Sequence, residues 1–373
     1  MFKYFLVVLL FYNSFQRDIP TVYFIKNITS ENVVKMFQKL NVALEGNVGL
    51  KVHSGEKGGK YFLTPDFLQE IYDYTKGTFI ECNTAYENHR HNTSIHKELL
   101  KEHHWLDNDR RFVIMDENPE NDFALKVKDG TILKENYVGE HLNDFDSCLV
   151  LAHLKGHGMG GFGGALKQLS IGFGSQAGKT WIHTGGYTRD WREMRKHYTS
   201  QENFTTAMAE AASTVVNFFR EKKKGGIAFI NVMSNISKYC DCAGDRAPEP
   251  RVHDIGILAS TDPVAIDRAS LDLIKTYVDE GTPELIQQLD KLLGENTLVV
   301  AEKLGIGMQE YNLVVVDENE PPTPEPESNT TLIVILSCSI GVALILGIVL
   351  GYIFSRKRQR NTISSMVPLS KEE

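Results

Sequence analysis

The chain has 373 residues, 42% hydrophobic and 24% charged, a composition that excludes disordered and collagen-like classes and leaves a globular protein with ample core. A net charge of -8, with no basic stripe in the interior, argues against a nucleic-acid partner. Five cysteines are too few for a disulfide scaffold, so the fold must rest on its core.

Met1-Phe2-Lys3 precede an apolar run from Tyr4 to Tyr12 and then Asn13-Ser14, the layout of a secretory signal peptide, assigned to residues 1–16. A lumenal or extracellular α/β domain is expected over 17–316. It opens on the strand Thr21-Val22-Tyr23-Phe24-Ile25, and Ser30-Glu31 then cap a helix with Val33, Val34, Phe37 and Leu40 at helical spacing. Val48 to Val52 reads as a strand. Thr64-Pro65 starts a helix with Phe67, Leu68 and Ile71 inward. Strands follow at Thr78–Glu81 and Phe112–Met115, separated by a polar loop and a helix near Ile95–His104. Residues Phe123 to Leu133 alternate like a small antiparallel hairpin.

The run Cys148-Leu149-Val150-Leu151-Ala152 is a strand that feeds the most unusual stretch of the chain, His153 to His183, which holds nine glycines between Gly156 and Gly178. Glycines allow close approach of the backbone to a ligand, so a glycine-rich turn leaving a strand is where α/β proteins build sites. Within this stretch, Thr180 to Gly185 reads as extended. Beyond it come a helix over Phe204–Phe219, strands at Ile227–Val232 and Ile255–Ala259, and a helix capped by Asp262-Pro263. A further helix at Leu298–Leu304 and the strand Leu313–Val316 end the domain. Near-continuously apolar strands alternating with helices predict an α/β fold, a mostly parallel sheet with helices on both faces; two lobes are compatible with the length.

From 317 to 331 the chain turns to Pro and Glu, the composition of an extended acidic stalk. Residues Leu332 to Phe354 are then 23 uncharged residues, which as a helix at about 1.5 Å per residue cross a hydrocarbon core of about 30 Å. Arg356, Lys357, Arg358 and Arg360 follow at once, so the positive-inside rule makes 355–373 a cytoplasmic tail and the chain a single-pass type I membrane protein. Asn27, Asn92, Asn203, Asn235 and Asn329 are glycosylation acceptors on the proposed outer side.

Gly178-Lys179-Thr180 has the ending of a phosphate-binding loop, but the required glycine five residues before Gly178 is Phe173. His153 and His157 have the spacing of a zinc-protease pair, but Leu154 stands where that motif needs glutamate. Two readings of the histidines remain: His153, His157 and His183 share a metal ion, or they hydrogen-bond within a packed loop. Cys240 and Cys242 are too close for an easy mutual disulfide and read either as a soft metal or redox site or as partners of Cys82 and Cys148. His253, Asp254, Asp262 and Asp267 are acid/base candidates, with Asp262 already explained as a cap. Glu81, Asn83 and Arg90 either bind an anion or tie down their loop.

Several blocks together resemble the domain-of-unknown-function family numbered 362, many members of which are described as iron-sulfur-centre proteins. They are Lys51-Val52-His53-Ser54-Gly55-Glu56, Asn83-Thr84-Ala85-Tyr86 with Arg90, Lys155-Gly156-His157 through Lys167, Gly178-Lys179 with His183, Cys240-Asp241-Cys242, and Asp254 through Asp267. Many members carry a ferredoxin insert of two cysteine quartets after the position of His183. Here no cysteine lies between His183 and Phe204, so no iron-sulfur ferredoxin cluster is expected.

The spacing His157, Lys167, His183 is also similar to that of nickel-pincer lactate racemases. That resemblance implies that Lys167 anchors a cofactor, His183 ligates its metal, and His157 is an acid/base titrating near neutral pH. The expected site is therefore His157 and Lys167 as catalytic groups, Gly160, Gly161, Gly163, Gly164 and Lys179 around a cofactor, and His183, Cys240 and Cys242 as metal ligands. The expected function is small-molecule or metal binding, isomerase-like or redox-derived; the alternative is a receptor or adhesin ectodomain that binds a protein or glycan.

Overall fold

A computed structural model describes residues 18–118, 120–222, 225–239 and 241–317. The expected signal peptide, membrane helix, tail and all but the first residue of the stalk lie outside them. Within them, no helix is long and apolar enough to cross a membrane.

The strands are β1 Thr21–Ile25, β2 Val48–Lys51, β3 Thr78–Glu81, β4 Phe112–Ile114, β5 Asp122–Lys126, β6 Glu135–Gly139, β7 Ser147–His153, β8 Lys155–His157, β9 Gly161–Gly163, β10 Ile227–Met233, β11 Gly256–Ser260 and β12 Asn312–Val315. The helices are α1 Ser30–Lys39, α2 Gln69–Thr75, α3 Thr93–Glu102, α4 Ala165–Lys167, α5 Gln176–His183, α6 Gln201–Glu221, α7 Pro263–Thr276, α8 Thr282–Lys291 and α9 Asn296–Lys303. Eight strands form one sheet in the order β12-β1-β11-β10-β7-β2-β3-β4. Only β11 runs against the others, pairing antiparallel with both β1 and β10. The described residues form one unit around this sheet, so the two-lobe arrangement is not adopted.

Every residue of β7 and β10 is buried, because both faces of the sheet are covered. Strand geometry sends alternate side chains to opposite faces. From β10, Ala228, Ile230 and Val232 pack with Val33, Met36 and Phe37 of α1 and Ile71 of α2. Its other set, Ile227, Phe229 and Met233, packs with Ala212, Val215 and Phe219 of α6 and Val264 and Ala269 of α7. Each such fully buried large side chain contributes about 1.5–3 kcal/mol of transfer free energy. The Asp262 cap read from the sequence holds, its side chain accepting from the N–H of Val264 and of Ala265, both at 2.9 Å; α1 is instead capped by Thr29, one residue before the expected Ser30, and α2 begins at Gln69, four residues after Pro65.

A further local expectation is overturned. Thr180–His183 is not extended but belongs to α5, whose start is fixed by Ser175 Oγ accepting from the N–H of Gly178 at 3.0 Å. The alternation of Thr180, Ile182 and Thr184 is short enough for either periodicity, and the serine cap decides for helix. Helix α8, which opens on Thr282-Pro283, was not anticipated at all.

The topology locates a crevice. From β2 the chain proceeds to β3 and β4 on one side, and from β7 it proceeds to β10 on the other, so β2 and β7 are adjacent strands whose continuations diverge. Open α/β sheets form ligand sites outside the carboxyl ends of strands at such a switch point. His53 follows β2, and His153 ends β7.

Candidate functional site

A cavity of about 360 Å³ opens at this point, with His53, Arg90, Lys155, His157, Lys167 and His183 in its wall. Lys179, Gly163 and Gly164 line it too, and the exposed Arg195, Tyr198 and Tyr239 mark its open side. The glycine-rich stretch is not a loose loop. Lys155–His157 and Gly161–Gly163 pair as an antiparallel hairpin, and α4 follows, widening into a π-helical turn over Gln168–Gly172. Such turns recur at functional sites.

The four glycines expected around a cofactor divide. Gly163 and Gly164 face the cavity, whereas Gly160 and Gly161 form the hairpin tip, Gly161 against the backbone of Gly294 and Gly160 against Met208. Gly161 has φ +78°, a left-handed conformation that disfavours other residues, so its glycine serves the turn and not a ligand. At Gly164 the reason is proximity: a Cβ there would lie 2.4 Å from Asp267 Oδ1.

That approach positions Lys167. Asp267 Oδ1 accepts from the N–H of Ala165 at 2.8 Å, Oδ2 from the N–H of Leu166 at 2.9 Å, and Asn231 Nδ2 donates to Oδ1 at 2.8 Å. The carboxylate thus satisfies the free amides at the start of α4. Burial nevertheless holds Asp267 up at about 6, against the opposing pull of these hydrogen bonds. Asp267 is a scaffold for the site and not one of its acid/base groups.

Most charges around the cavity are already engaged. Arg90 donates to Glu81 Oε1 at 2.8 Å and lies 3.4 Å from Glu56 Oε2, so its loop is tied down by two carboxylates, of which Glu81 also lines the cavity. Burial would raise the Glu81 carboxyl, but Arg90 and His96 hold it well below the usual carboxylate range. Lys155 is ion-paired with Asp241, and Lys179 donates to the Gly174 carbonyl at 2.6 Å. Beneath the wall, fully buried Lys51 donates to the Val52 carbonyl at 2.6 Å and to Gln168 Oε1 at 2.9 Å, and burial pushes it down to about 8.

Lys167 is different. Of the three lysines lining the cavity it alone has no hydrogen-bond or ion-pair partner among the described residues. Burial, reinforced by repulsion from Lys155, pushes it down to about 7, with Asp241 pulling the other way.

His157 and Lys167 do line one cavity, but the surroundings of the histidine oppose the near-neutral titration expected of it. Burial, Lys167 and His183 press His157 well below the usual imidazole range, so it is neutral at pH 7. Its Nδ1 accepts from the N–H of Gly160 at 2.8 Å and of Met159 at 3.2 Å, which places the ring proton on Nε2. It is a hydrogen-bond donor, and the group that titrates near neutrality is Lys167.

His183 stacks on Phe204 with ring centroids 4.6 Å apart, and its Nδ1 is buried with no partner. Burial, with Lys167 and Lys179, pushes it down to about 3. His153 drops out of the proposed three-histidine metal set. Its Nδ1 faces Asp241 Oδ1 at 3.0 Å and its Nε2 the Ser234 carbonyl at 2.6 Å, so both ring nitrogens are engaged by acceptors. Cys240 and the Cys242 side chain lie outside what the structure describes; Cys82 and Cys148 are free and buried. Among the described residues no group of three or more His, Cys, Asp or Glu is placed to hold a metal ion. The other acid/base candidates are elsewhere: His253 pairs with Asp279 at 2.6 Å, and Asp254 accepts from the N–H of Asn235.

His53, Lys155 and Asp241 were not singled out by chemistry in the sequence. Each does stand in one of the resembling blocks, which was the available signal.

Residues 48–272 match the family described as Domain of unknown function (DUF362). The chain belongs to that family. No curated protein matches it significantly. Among solved structures, this DUF362 chain is similar to the lactate racemase apoprotein from Thermoanaerobacterium thermosaccharolyticum, at 13% identity and a TM-score of 0.40, over 68% of this chain and 57% of that one. It is also similar to a protein from Thermotoga maritima at 16% identity and a TM-score of 0.37, over 74% of this chain and 60% of that one. The chain thus spans less than two thirds of either structure.

Proposed function

We propose that this DUF362 domain binds a small organic anion in the cavity at the switch point, with Lys167 as the cation that receives its charge. The observation that carries this is the amine of Lys167, without a partner in a wall where Lys155 and Arg90 are already neutralised. With Arg90 paired to Glu81 and Glu56, and Lys155 to Asp241, the wall still presents Lys167, Lys179 and Arg195, none of them ion-paired among the described residues. Its potential therefore favours an anion, and the partial exclusion of water strengthens each contact. The Nε2–H of neutral His157 supplies orientation without adding charge.

Calorimetric titration of the full chain in detergent with oxalate tests the reading. We expect one site, weakened roughly tenfold or more by Lys167→Met while the fold is kept. No heat at any concentration, or an unchanged affinity in the variant, contradicts it. Stoichiometric metal in elemental analysis, with oxalate binding lost on chelation, favours the metal-assisted alternative.

We further propose that the domain faces the lumen or the cell exterior, behind a signal peptide at 1–16 and ahead of the stalk at 317–331 and the spanning helix at 332–354. Asn27, Asn92 and Asn235 are exposed, and Asn92 caps α3 through Oδ1, which leaves its amide nitrogen free for a glycan. A glycosidase-sensitive mobility shift after expression in a secretory host is the expected result. An unmodified chain with a protease-accessible amino-terminal domain on intact cytosol-facing vesicles contradicts it.

A further inference from the structure

The amine of Lys167 has the setting of a nucleophile, and we infer that it forms a covalent imine with the carbonyl carbon of a small 2-oxo acid. This inference rests on the anion-binding reading above and adds the bond and the substrate class.

Four features of the site converge. Lys167 lines the cavity, and its amine has no hydrogen-bond or ion-pair partner among the described residues. The stems of Lys155 and Lys167 run side by side over Gly163: a Cβ at that glycine would lie 3.7 Å from Lys155 Cε and 3.6 Å from Lys167 Cδ. With the two stems adjacent over Gly163, the Lys155 cation disfavours the ammonium form of the unpaired lysine. Its downward displacement to about 7 agrees with that arrangement. Third, α4 is held by the two Asp267 bonds to Ala165 and Leu166, so the nucleophile projects from a fixed turn.

The fourth feature is what surrounds the reacting carbon. His157 offers a proton-bearing Nε2 and is neutral, so it can donate a hydrogen bond to the carbonyl oxygen without competing for the proton of the amine. Lys179 and Arg195 lie in the same wall and supply positive charge for a neighbouring carboxylate. A neutral aldehyde would leave that charge unused, and a carboxylate without a carbonyl would leave the nucleophile unused. A 2-oxo acid meets both.

The step balances without an oxidant or a further reactant. The lone pair of the neutral amine forms the C–N bond while the C=O π pair moves to oxygen, and a proton passes from nitrogen to oxygen to give the carbinolamine. The C–O bond then breaks, and the second amine hydrogen leaves with that oxygen as water, giving C=N. Protonation of the imine by solvent yields an iminium beside the carboxylate.

Incubation of the full chain with glyoxylate and cyanoborohydride, followed by intact-mass analysis and peptide mapping, tests this. Hydride delivery to the iminium carbon fixes one carboxymethyl group on the lysine. We expect a single fast addition at pH 7, mapped to Lys167, on the order of tenfold or more faster than at any surface lysine, because an ordinary lysine at pKa near 10.4 is almost wholly protonated there. Oxalate should slow this addition and leave surface labelling unchanged, a result that needs no variant. Lys167→Arg should abolish it, and glycolaldehyde, a neutral carbonyl compound, should label Lys167 more slowly than glyoxylate. No preferential addition at Lys167 while oxalate still binds by calorimetry overturns the imine and leaves the anion site standing. Absence of both removes both.

Discussion

Asp267 accepts the backbone N–H of Ala165 at 2.8 Å and so fixes the turn from which Lys167 enters the cavity, although Asp267 is itself outside the cavity wall. Asp267→Ala leaves two buried amides unsatisfied and should lower stability by about 1–3 kcal/mol, read from denaturant midpoints. It should also weaken oxalate binding, which a purely structural role distant from the site would not do.

The pH dependence of Asp267 has a definite sign. Its folded pKa, about 6, is above the ordinary carboxyl value of 3.8. Its contribution is therefore fully present below pH 3.8 and is lost as pH rises through 6. Asp267→Asn removes that titration, so the variant's deficit relative to the parent should be larger at pH 4 than at pH 7. An equal deficit at both would mean that Asp267 titrates normally.

Lys167 is a base with a depressed pKa, about 7 against 10.5. Below pH 7 the folded chain must carry the ammonium in an unfavourable place, and between 7 and 10.5 the unfolded chain binds more protons than the folded one, so stability recovers as pH rises. Lys167→Met should raise the melting temperature at pH 6.5, with the gain fading towards pH 10. A lysine kept for function at the expense of stability behaves in this way, and one kept for structure does the reverse.

The glycines of the hairpin make an internal comparison. A Cβ at Gly164 would lie 2.4 Å from Asp267 Oδ1, whereas at Gly158 it would meet nothing within 4 Å. Gly164→Ala should cost about 1–3 kcal/mol by overpacking, and Gly158→Ala close to nothing, in thermal melts run side by side.

Much of the framework was legible from residues alone. The run Cys148–Ala152 and its counterpart at Ile227–Val232 are apolar at every position because both faces of the sheet are covered, which is the pattern a buried parallel strand must show. The Asp262-Pro263 cap was legible because it is local. What was not legible depends on contacts distant in sequence. His157 looked like a base because its intrinsic pKa is suitable, and its burial, with Lys167 and His183 packed around it, reverses that. Asp241 looked like a spacer between two cysteines until the end of β7 brought His153, and the start of β8 brought Lys155, to it. Likewise His153 and His157 are four apart in sequence, yet a strand ends between them and one ring is consumed by Asp241 while the other faces the cavity.

The Asp241 cluster gives a further test. Burial would raise its carboxyl, but His153 and Lys155 hold it well below 3.8, so its contribution is present above that value and lost as pH falls below it. Asp241→Asn leaves the buried Lys155 ammonium unpaired and should cost about 3–5 kcal/mol at pH 7. The double variant with Lys155→Met should recover much of the loss.

The central claim is that Lys167 is the unclaimed lysine of an anion site at the switch point between β2 and β7. A crystal structure of the chain soaked with oxalate tests it most directly. We predict a carboxylate oxygen within about 3 Å of Lys167 Nζ, with His157 Nε2 turned towards the ligand. An oxalate-saturated crystal with the cavity filled by water alone, or with oxalate bound only at the surface, would contradict it.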